Sequence, residues 1–98
     1  MRARSPHPNE VFGHHLRALR QTRKLTQEQL AERADLGVNI VGRLERSVIA
    51  PGLVSILKLG VALGVPAKDM LDPFTPELVA QMKLGARAAV SRRPRTRR

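Results

Sequence analysis

The sequence predicts an all-α fold of five short helices, with one more helix near the C-terminus. Apolar residues recur with the 3.6-residue period of a helix in one segment after another. Alternation of apolar and polar residues, the pattern of a half-buried strand, never persists beyond a few positions. Cap and turn residues separate the periodic segments, as expected at the ends of helices. The length of 98 residues supports one small domain.

The first predicted helix follows an N-terminal arm, residues 1–8, which has two prolines and no periodicity and which we expect to be flexible. Asn9 is a suitable cap for a helix that runs to about Thr22. Apolar residues then repeat at i, i+4 and i+7, namely Phe12, Leu16 and Leu19. This spacing predicts an amphipathic helix with one buried face.

Two short helices joined by a tight turn make up the centre of the chain. Thr26 and Gln29 have the spacing of a capping box, which predicts the start of the first of them. Gly37 provides backbone freedom for the turn, and Val41 and Leu44 fall on the buried face of the second helix. A different face of that helix carries small, polar and basic residues: Val38, Asn39, Gly42 and Arg43. Such a face is suited to lie against a nucleic acid.

Three more helices complete the predicted fold. Pro51 suits the start of the fourth helix and Gly64 suits its end. Gly60 within it either allows a close approach of another helix or is simply tolerated at a cost in helix propensity. A short fifth helix is predicted over 65–71. The last helix begins with a cap, a proline and an acid at residues 75–77, and we expect it to run to about Val90.

The basic charge of the chain is concentrated at its two ends. The formal net charge is +10; residues 1–8 carry two arginines and residues 92–98 carry five, whereas residues 9–91 hold 11 basic and 8 acidic residues. A basic chain favours a polyanionic partner, although charged ends also serve solubility alone. The predicted layout is a flexible arm at 1–8, a helical domain at 9–72, a C-terminal helix for packing or dimerisation at 73–90, and a disordered arginine-rich tail at 91–98.

Composition and spacing argue against catalysis and against a bound cofactor. The absence of cysteine excludes disulfides, cysteine-ligated zinc and thiol catalysis. The sequence has no glycine-rich phosphate loop, no metal-ligand spacing and no nucleophile–base motif. It has no signal peptide and no apolar run near the roughly 20 residues that cross a membrane. We therefore expect a non-enzymatic protein of the cytoplasm, associated with the nucleoid and without a membrane partner, metal or cofactor.

The order and spacing of several segments resemble the Cro and phage-repressor helix-turn-helix family, often called XRE-type regulators. The segments lie at 16–20, 25–31, 43–46, 50–51 and 59–65, within a resemblance that covers about residues 11–71. It implies a compact five-helix lambda-repressor-like DNA-binding domain with an additional C-terminal helix and a basic tail. It also implies a sequence-specific transcriptional regulator, such as a repressor, whose 38–46 helix enters the major groove of double-stranded DNA.

The resemblance implies DNA contacts for six residues. Four of them lie on the recognition helix, where the family reads bases or faces the DNA: Val38, Asn39, Gly42 and Arg43. Arginine pairs with guanine and asparagine with adenine in the major groove, whereas valine offers only apolar contact. Gln27 matches a glutamine that bonds a phosphate, and Arg46 matches a position near the DNA backbone.

The resemblance also implies a structural ion pair between Arg20 and Glu45 that ties the first helix to the recognition helix. Relatives often have glycine at three positions held here by larger residues: Lys24, Asp35 and Ser47. We expect backbone strain or a slightly different loop there, because aspartate tolerates a left-handed conformation but lysine and serine do so less well. Relatives often have serine or threonine at Gly37, so we expect a recognition helix without a side-chain cap. The loop 47–50 lacks the basic residues that relatives often place there on phosphates.

A second apolar stripe on the fourth helix indicates a covered surface. It consists of Val54, Leu57 and Val61, spaced i, i+3 and i+7. Either the last helix of the same chain or a second subunit would cover it. Because the family commonly forms homodimers on inverted repeats, we expect a homodimer interface made by Leu57, Val61, Leu71, Phe74, Leu78 and Met82. The alternative is that the last helix packs only within the monomer.

Three other functions remain open from the sequence. The first is an antitoxin with the same fold, whose C-terminal segment wraps a toxin. The second is a protein-interaction module that no longer reads DNA, which Val38 and Gly42 favour and which Asn39 and Arg43 oppose. The third is a general nucleoid-type binder that works through its basic ends.

Overall fold

The computed structural model describes residues 5–84, which fold into helices joined by short connections. In chain order the helices are α1 Pro8–Thr22, α2 Gln27–Arg33, α3 Val38–Glu45, α4 Leu53–Leu63, a 3-10 helix Ala67–Leu71, and α5 Pro76–Gln81. Because this range contains no strand, the all-α prediction is confirmed. The first residues of the arm, the segment 85–90 and the tail 91–98 lie outside the described residues.

Local capping explains where α1 and α2 begin. Thr26 and Gln29 form the predicted capping box, in which the Gln29 N–H donates to the Thr26 hydroxyl and the Thr26 N–H donates to Gln29 Oε1. The cap predicted for α1 is wrong by two residues. His7, not Asn9, caps this helix, because its Nδ1 accepts the Asn9 backbone N–H at 3.0 Å. Pro8 then fits the first helical position, where no N–H is needed.

The predicted fifth helix is a 3-10 helix rather than an α-helix. It spans only Ala67–Leu71, with Pro66 as its N-cap. Pro73 follows two residues after its end, so the helix cannot extend further along the chain. Helical segments this short commonly take the tighter 3-10 form. Its one buried side chain, Met70, anchors the turn in the core.

The last helix is shorter than predicted. It begins at Pro76 with Thr75 as a side-chain cap, as expected, but it ends at Gln81 instead of continuing to Val90. Met82 leaves the helix with an extended backbone, φ −81° and ψ 147°. Its side chain is 8% exposed. The chain therefore leaves the helix at Met82, and the side chain of this residue is buried at that point.

The core is built almost entirely from aliphatic side chains of α1 to α4. Its residues are Phe12, Leu16, Leu25, Leu30, Ala31, Ala34, Val41, Leu44, Leu59, Leu63 and Met70. Each fully buried leucine contributes about 2 kcal/mol of transfer free energy. α2 and α3 pack on each other, α3 packs on α1, and α2 packs on α4, so that the helix-turn-helix unit rests on the other helices.

Helices α1 and α3 meet closely at a glycine. A Cβ atom on Gly13 would lie 2.5 Å from the Leu44 carbonyl oxygen and 3.0 Å from that of Glu45. Both are backbone atoms, so a side chain here would push the helices apart. The predicted close approach at Gly60 is also present, although its neighbour is the Val65 carbonyl oxygen, 3.2 Å from a Cβ built there.

Among residues 5–84, three residues that are not glycine hold a left-handed backbone, which is the strained conformation expected at these positions. They are Lys24 (φ 57°), Asp35 (φ 55°) and Ser47 (φ 67°). Each follows the C-terminal end of one of the first three helices, where a left-handed residue reverses the chain within a short connection. Such a conformation costs on the order of 1 kcal/mol for a residue with a side chain.

Candidate nucleic-acid interface

Helix α3 buries one face and exposes the other. Val41 and Leu44 are 0% and 1% exposed, and they hold the helix to the core. The exposed side chains are Val38, Asn39, Arg43 and Arg46. No side chain caps the start of the helix at Gly37, as expected. The structure therefore gathers four of the six predicted DNA-contacting residues on one accessible surface.

Gly42, which the resemblance places facing the DNA, differs from the four exposed residues. The residue is buried. A Cβ atom on Gly42 would lie 3.0 Å from Arg46 Nη1 and 3.2 Å from Gln27 Oε1. Two polar side chains therefore cover the glycine. The helical period alone gives no signal for this cover, because Gln27 comes from a different helix.

A buried carboxylate joins the first three helices beneath this surface. Glu45 is 8% exposed and accepts from Arg20 twice, from Nε at 2.6 Å and from Nη2 at 3.0 Å. This is the ion pair that the resemblance implied. Gln27 Nε2 also donates to Glu45 Oε1 at 3.0 Å, and Arg20 Nη1 donates to the Leu25 carbonyl at 2.8 Å. The link from Glu45 to Gln27 was not predicted, since no sequence pattern announces a contact between residues 18 positions apart.

The charge of Arg20 is firmly maintained in this network. The hydrogen bond to Glu45 raises the pKa of Arg20, with burial acting in the opposite direction. A pKa raised on folding gives stability that is fully present below the ordinary arginine value and is lost only as the pH rises through the raised value. The Arg20 charge therefore supports the fold throughout the physiological range.

Two cations at the α3 face have no acidic partner among the described residues. Within residues 5–84, no acidic side chain pairs with Arg43 or Arg46. In contrast, Lys58 on α4 lies 3.7 Å from the Asp35 carboxylate and donates to the Asp35 carbonyl at 3.1 Å. Arg23 is also engaged, because its Nε donates to the Leu63 carbonyl at 2.8 Å. The charges of Arg43 and Arg46 are thus available to an anion beside α3.

The six residues expected at a dimer interface differ in their exposure and fall into three groups. Leu57, Val61 and Leu71 are 45%, 83% and 44% exposed. Phe74 and Leu78 are half-buried, and Phe74 packs against the core. Met82 is buried within its own chain, so its proposed place in an interface is corrected. The exposed apolar surface is therefore centred on α4, where Val54 is 64% exposed.

Other kinds of site find little support in the part of the chain that the structure describes. No three histidine, aspartate or glutamate side chains of residues 5–84 group in a way that could hold a metal ion. No described helix has the length and apolar character to cross a membrane.

Sequence comparison places this geometry in a known family. A family model described as a helix-turn-helix domain matches residues 11–74. The chain is 40% identical over 65 residues to the immunity repressor protein of Bacillus phage phi105, a match that covers 66% of this chain and 45% of the repressor. It is 36% identical over 63 residues to control protein C.BamHI of Bacillus amyloliquefaciens, covering 63% of this chain and 78% of that protein. The chain thus spans less than half the length of the phage repressor.

Solved structures share the arrangement. The restriction-modification controller protein C.AhdI from Aeromonas hydrophila is 39% identical with a TM-score of 0.62, over 63% of this chain and 94% of that one. The clp gene regulator ClgR from C. glutamicum is 26% identical with a TM-score of 0.65, over 82% and 99%. These relatives bear the names of regulators rather than enzymes. The chain belongs to the helix-turn-helix family of DNA-binding transcriptional regulators.

Proposed function

We propose that this protein is a sequence-specific regulator that binds double-stranded DNA as a homodimer, with α3 in the major groove. The observation that carries the proposal is the exposed face of α3, which presents Asn39 and Arg43 from a helix held rigidly by Val41 and Leu44. Arg43 can donate two hydrogen bonds to guanine, and Asn39 can pair with adenine. Val38 adds apolar contact at the start of the helix.

The DNA backbone would be held at the edge of the same face. Arg46 follows the last turn of α3 and is exposed, and Gln27 opens α2 beside it. Because the loop 47–50 has no basic residue, we expect few phosphate contacts from the folded domain and a modest dependence of affinity on salt. The regulator would act where the DNA is, which in a bacterium is the cytoplasm.

The homodimer is supported by the apolar surface of α4. Val54, Leu57 and Val61 form an exposed stripe, and Leu71 lies exposed on the 3-10 helix. Exposed apolar patches of this kind mark interaction surfaces. Two copies related by a two-fold axis would present two α3 helices to two half-sites, about one helical turn of DNA apart. An inverted-repeat operator follows from that symmetry.

The proposal is tested by enrichment of randomised duplex DNA on the purified protein at physiological salt. We expect an inverted repeat to emerge, and we expect Arg43→Ala to lose the preference at one base pair of each half-site. Lys68→Ala is the matched control, because it removes one positive charge from the 3-10 helix, where the side chain is 85% exposed. Binding that is blind to sequence in the wild type would contradict the proposal.

A second candidate function rests on the same apolar stripe. A protein partner such as a toxin, in place of a second copy, would also cover Leu57 and Val61, which are well exposed in the single chain. Sedimentation of the purified protein at micromolar concentration separates the two. A dimer mass supports the homodimer, whereas a monomer mass that does not change with concentration favours a different protein partner.

A further inference from the structure

A lysine of α4 reaches the turn that leads into α3. Lys58 Nζ donates to the backbone carbonyl of Asp35 at 3.1 Å and lies 3.7 Å from one oxygen of the Asp35 carboxylate. Asp35 comes directly after the C-terminal end of α2 and has the left-handed backbone that reverses the chain there. Lys58 thus joins α4 to the connection between the two helices of the helix-turn-helix unit.

The backbone carbonyl of Asp35, rather than its carboxylate, is the group that Lys58 can hold in place. The Asp35 side chain is 98% exposed, and an ion pair at 3.7 Å in water contributes little. The carbonyl moves only when the turn moves. Within residues 5–84 the donor to this carbonyl is Lys58 Nζ. The lysine therefore satisfies a backbone group that the turn leaves outside the helical hydrogen bonds.

The start of α3 depends on this turn for its position. Its N-cap, Gly37, has no side chain to hold the first turn, whereas α2 begins with a complete capping box. The Ile40 N–H donates to the Gly37 carbonyl at 3.0 Å, and the Leu36 N–H donates to the Ala31 carbonyl in α2 at 2.9 Å. Between these two bonds the direction of the chain is set by the turn that begins at Asp35.

We propose that Lys58 is a positioning residue for DNA recognition, which holds the turn through the Asp35 carbonyl and so fixes the start of α3. Val38 and Asn39, which the proposed function places against bases, come three and four residues after Asp35. A restrained turn reduces the conformational freedom that this end of α3 loses on binding. Leu36 packs against the core, so loss of the lysine contact loosens the turn without unfolding the domain. This inference rests on the proposed DNA-binding function.

Amide hydrogen exchange tests the contact in the absence of DNA. The variants are Lys58→Met, whose side chain cannot donate a hydrogen bond, and Lys58→Arg, whose side chain can. We expect the Leu36 and Ile40 amides to exchange about threefold faster or more in Lys58→Met, because the turn opens locally, and at the wild-type rate in Lys58→Arg. The Leu30 amide, which donates to the Thr26 carbonyl at 3.0 Å, should not change. Equal exchange of the Leu36 and Ile40 amides in Lys58→Met and the wild type overturns the inference.

DNA affinity then connects the contact to function. The probes are the duplex enriched by the wild-type protein and a scrambled duplex, at a protein concentration where sedimentation gives the same mass for every variant. We expect Lys58→Met to reduce the ratio of the two affinities roughly threefold to tenfold, the range of one lost hydrogen bond, and Lys58→Arg to restore it. Lys68→Met is the matched control, because it removes the charge of a side chain that is 85% exposed on the 3-10 helix.

Asp35→Asn separates the carbonyl from the carboxylate. Asparagine tolerates a left-handed backbone and keeps the carbonyl, but it removes the charge that lies 3.7 Å from Lys58 Nζ. We expect this variant to keep the exchange rates and the affinity ratio of the wild type. Effects as large as those of Lys58→Met would overturn the role of the carbonyl contact.

The outcomes separate the inference from the function on which it rests. If the wild type shows no preference among duplexes, the proposed function fails, whereas the exchange measurement still reports on the contact made by Lys58. If the wild type binds specifically and Lys58→Met keeps its affinity ratio, the function stands and the positioning role is overturned. A weaker dependence of the affinity on salt in Lys58→Met also overturns that role, because Lys58 would then neutralise a phosphate itself.

Discussion

The exposed faces of α3 and α4 have opposite chemistry although both helices are anchored in the same way. Leu44 on α3 is 1% exposed and Leu59 on α4 is 0% exposed, so each helix buries leucine in one core. On their outer sides, α3 presents Asn39 and Arg43, whereas α4 presents apolar side chains such as Val61. The outer residues therefore fit the two partners of the proposed function, a polyanion at α3 and a protein surface at α4.

The charges around the two faces strengthen this difference. Lys58, the basic residue of α4, is offset by Asp35. Arg43 and Arg46 have no acidic partner within residues 5–84. Since an unpaired cation attracts phosphate and a paired one does so far less, the two arginines of the α3 face keep their charge available where α3 would meet DNA.

The largest effect is expected from Glu45→Ala, which removes the base of the α3 face. Arg20 would keep a charge that lies 12% exposed and has lost its carboxylate. Breaking a buried ion pair in this way costs about 3–5 kcal/mol of folding free energy. Chemical denaturation measures the loss. Glu32→Ala, at an exposed residue of α2, is the control and should change stability by less than about 0.5 kcal/mol. A similar stability for both variants would show that the network is not structural.

Val61→Glu should act on the α4 face alone. Its side chain is 83% exposed, so the single chain should unfold as the wild type does. In a homodimer the change removes two buried valines, about 3 kcal/mol at about 1.5 kcal/mol each, and adds facing charges. We expect sedimentation to give a monomer and the affinity for the full inverted repeat to fall. An unchanged dimer would place the interface elsewhere.

Asn39→Ala should act on the α3 face alone. The lost contact to one base is worth about 1–3 kcal/mol of discrimination at that base pair. Competition binding with operators substituted at single positions measures this discrimination, and sedimentation should show an unchanged dimer. Loss of dimerisation in this variant would mean that the two faces are not independent.

The smallest effect is expected in the connections between the helices, away from both faces. Lys24 has φ 57°, a conformation that glycine adopts without strain. Lys24→Gly should raise stability by about 0.5 kcal/mol, because the relieved strain exceeds the added entropy of the unfolded chain. Thermal unfolding measures the change, and DNA affinity should stay at the wild-type level. Lower stability in this variant would argue against strain at Lys24.

The sequence predicted what depends on neighbours along the chain. Helical periodicity placed Val41 and Leu44 in the core, and the spacing of Thr26 and Gln29 marked the start of α2, because both signals are local. The resemblance supplied what periodicity lacks, namely the pairing of Arg20 with Glu45. It also indicated the strained position at Lys24.

The parts that were missed depend on contacts between distant residues. Gly42 follows the period of an exposed face but is covered by Gln27 from another helix. Met82 was placed in a dimer interface, yet it is buried where the chain leaves α5. No sequence pattern marked Gly13 as important, although α1 and α3 cross so closely there that a side chain would not fit. The spacing of residues along the sequence does not show which other helix will pack over a given residue.

The central claim, that the exposed face of α3 reads a DNA sequence, is tested most directly by the ratio of two affinities. Binding of the enriched inverted repeat and of a scrambled duplex is measured at one physiological salt concentration, for the wild type and for Arg43→Ala. We predict a wild-type ratio of about 10³ or more, and a drop of roughly tenfold or more when the guanidinium of Arg43 is removed. Equal affinities for the two duplexes, or a ratio that Arg43→Ala leaves unchanged, would contradict the claim.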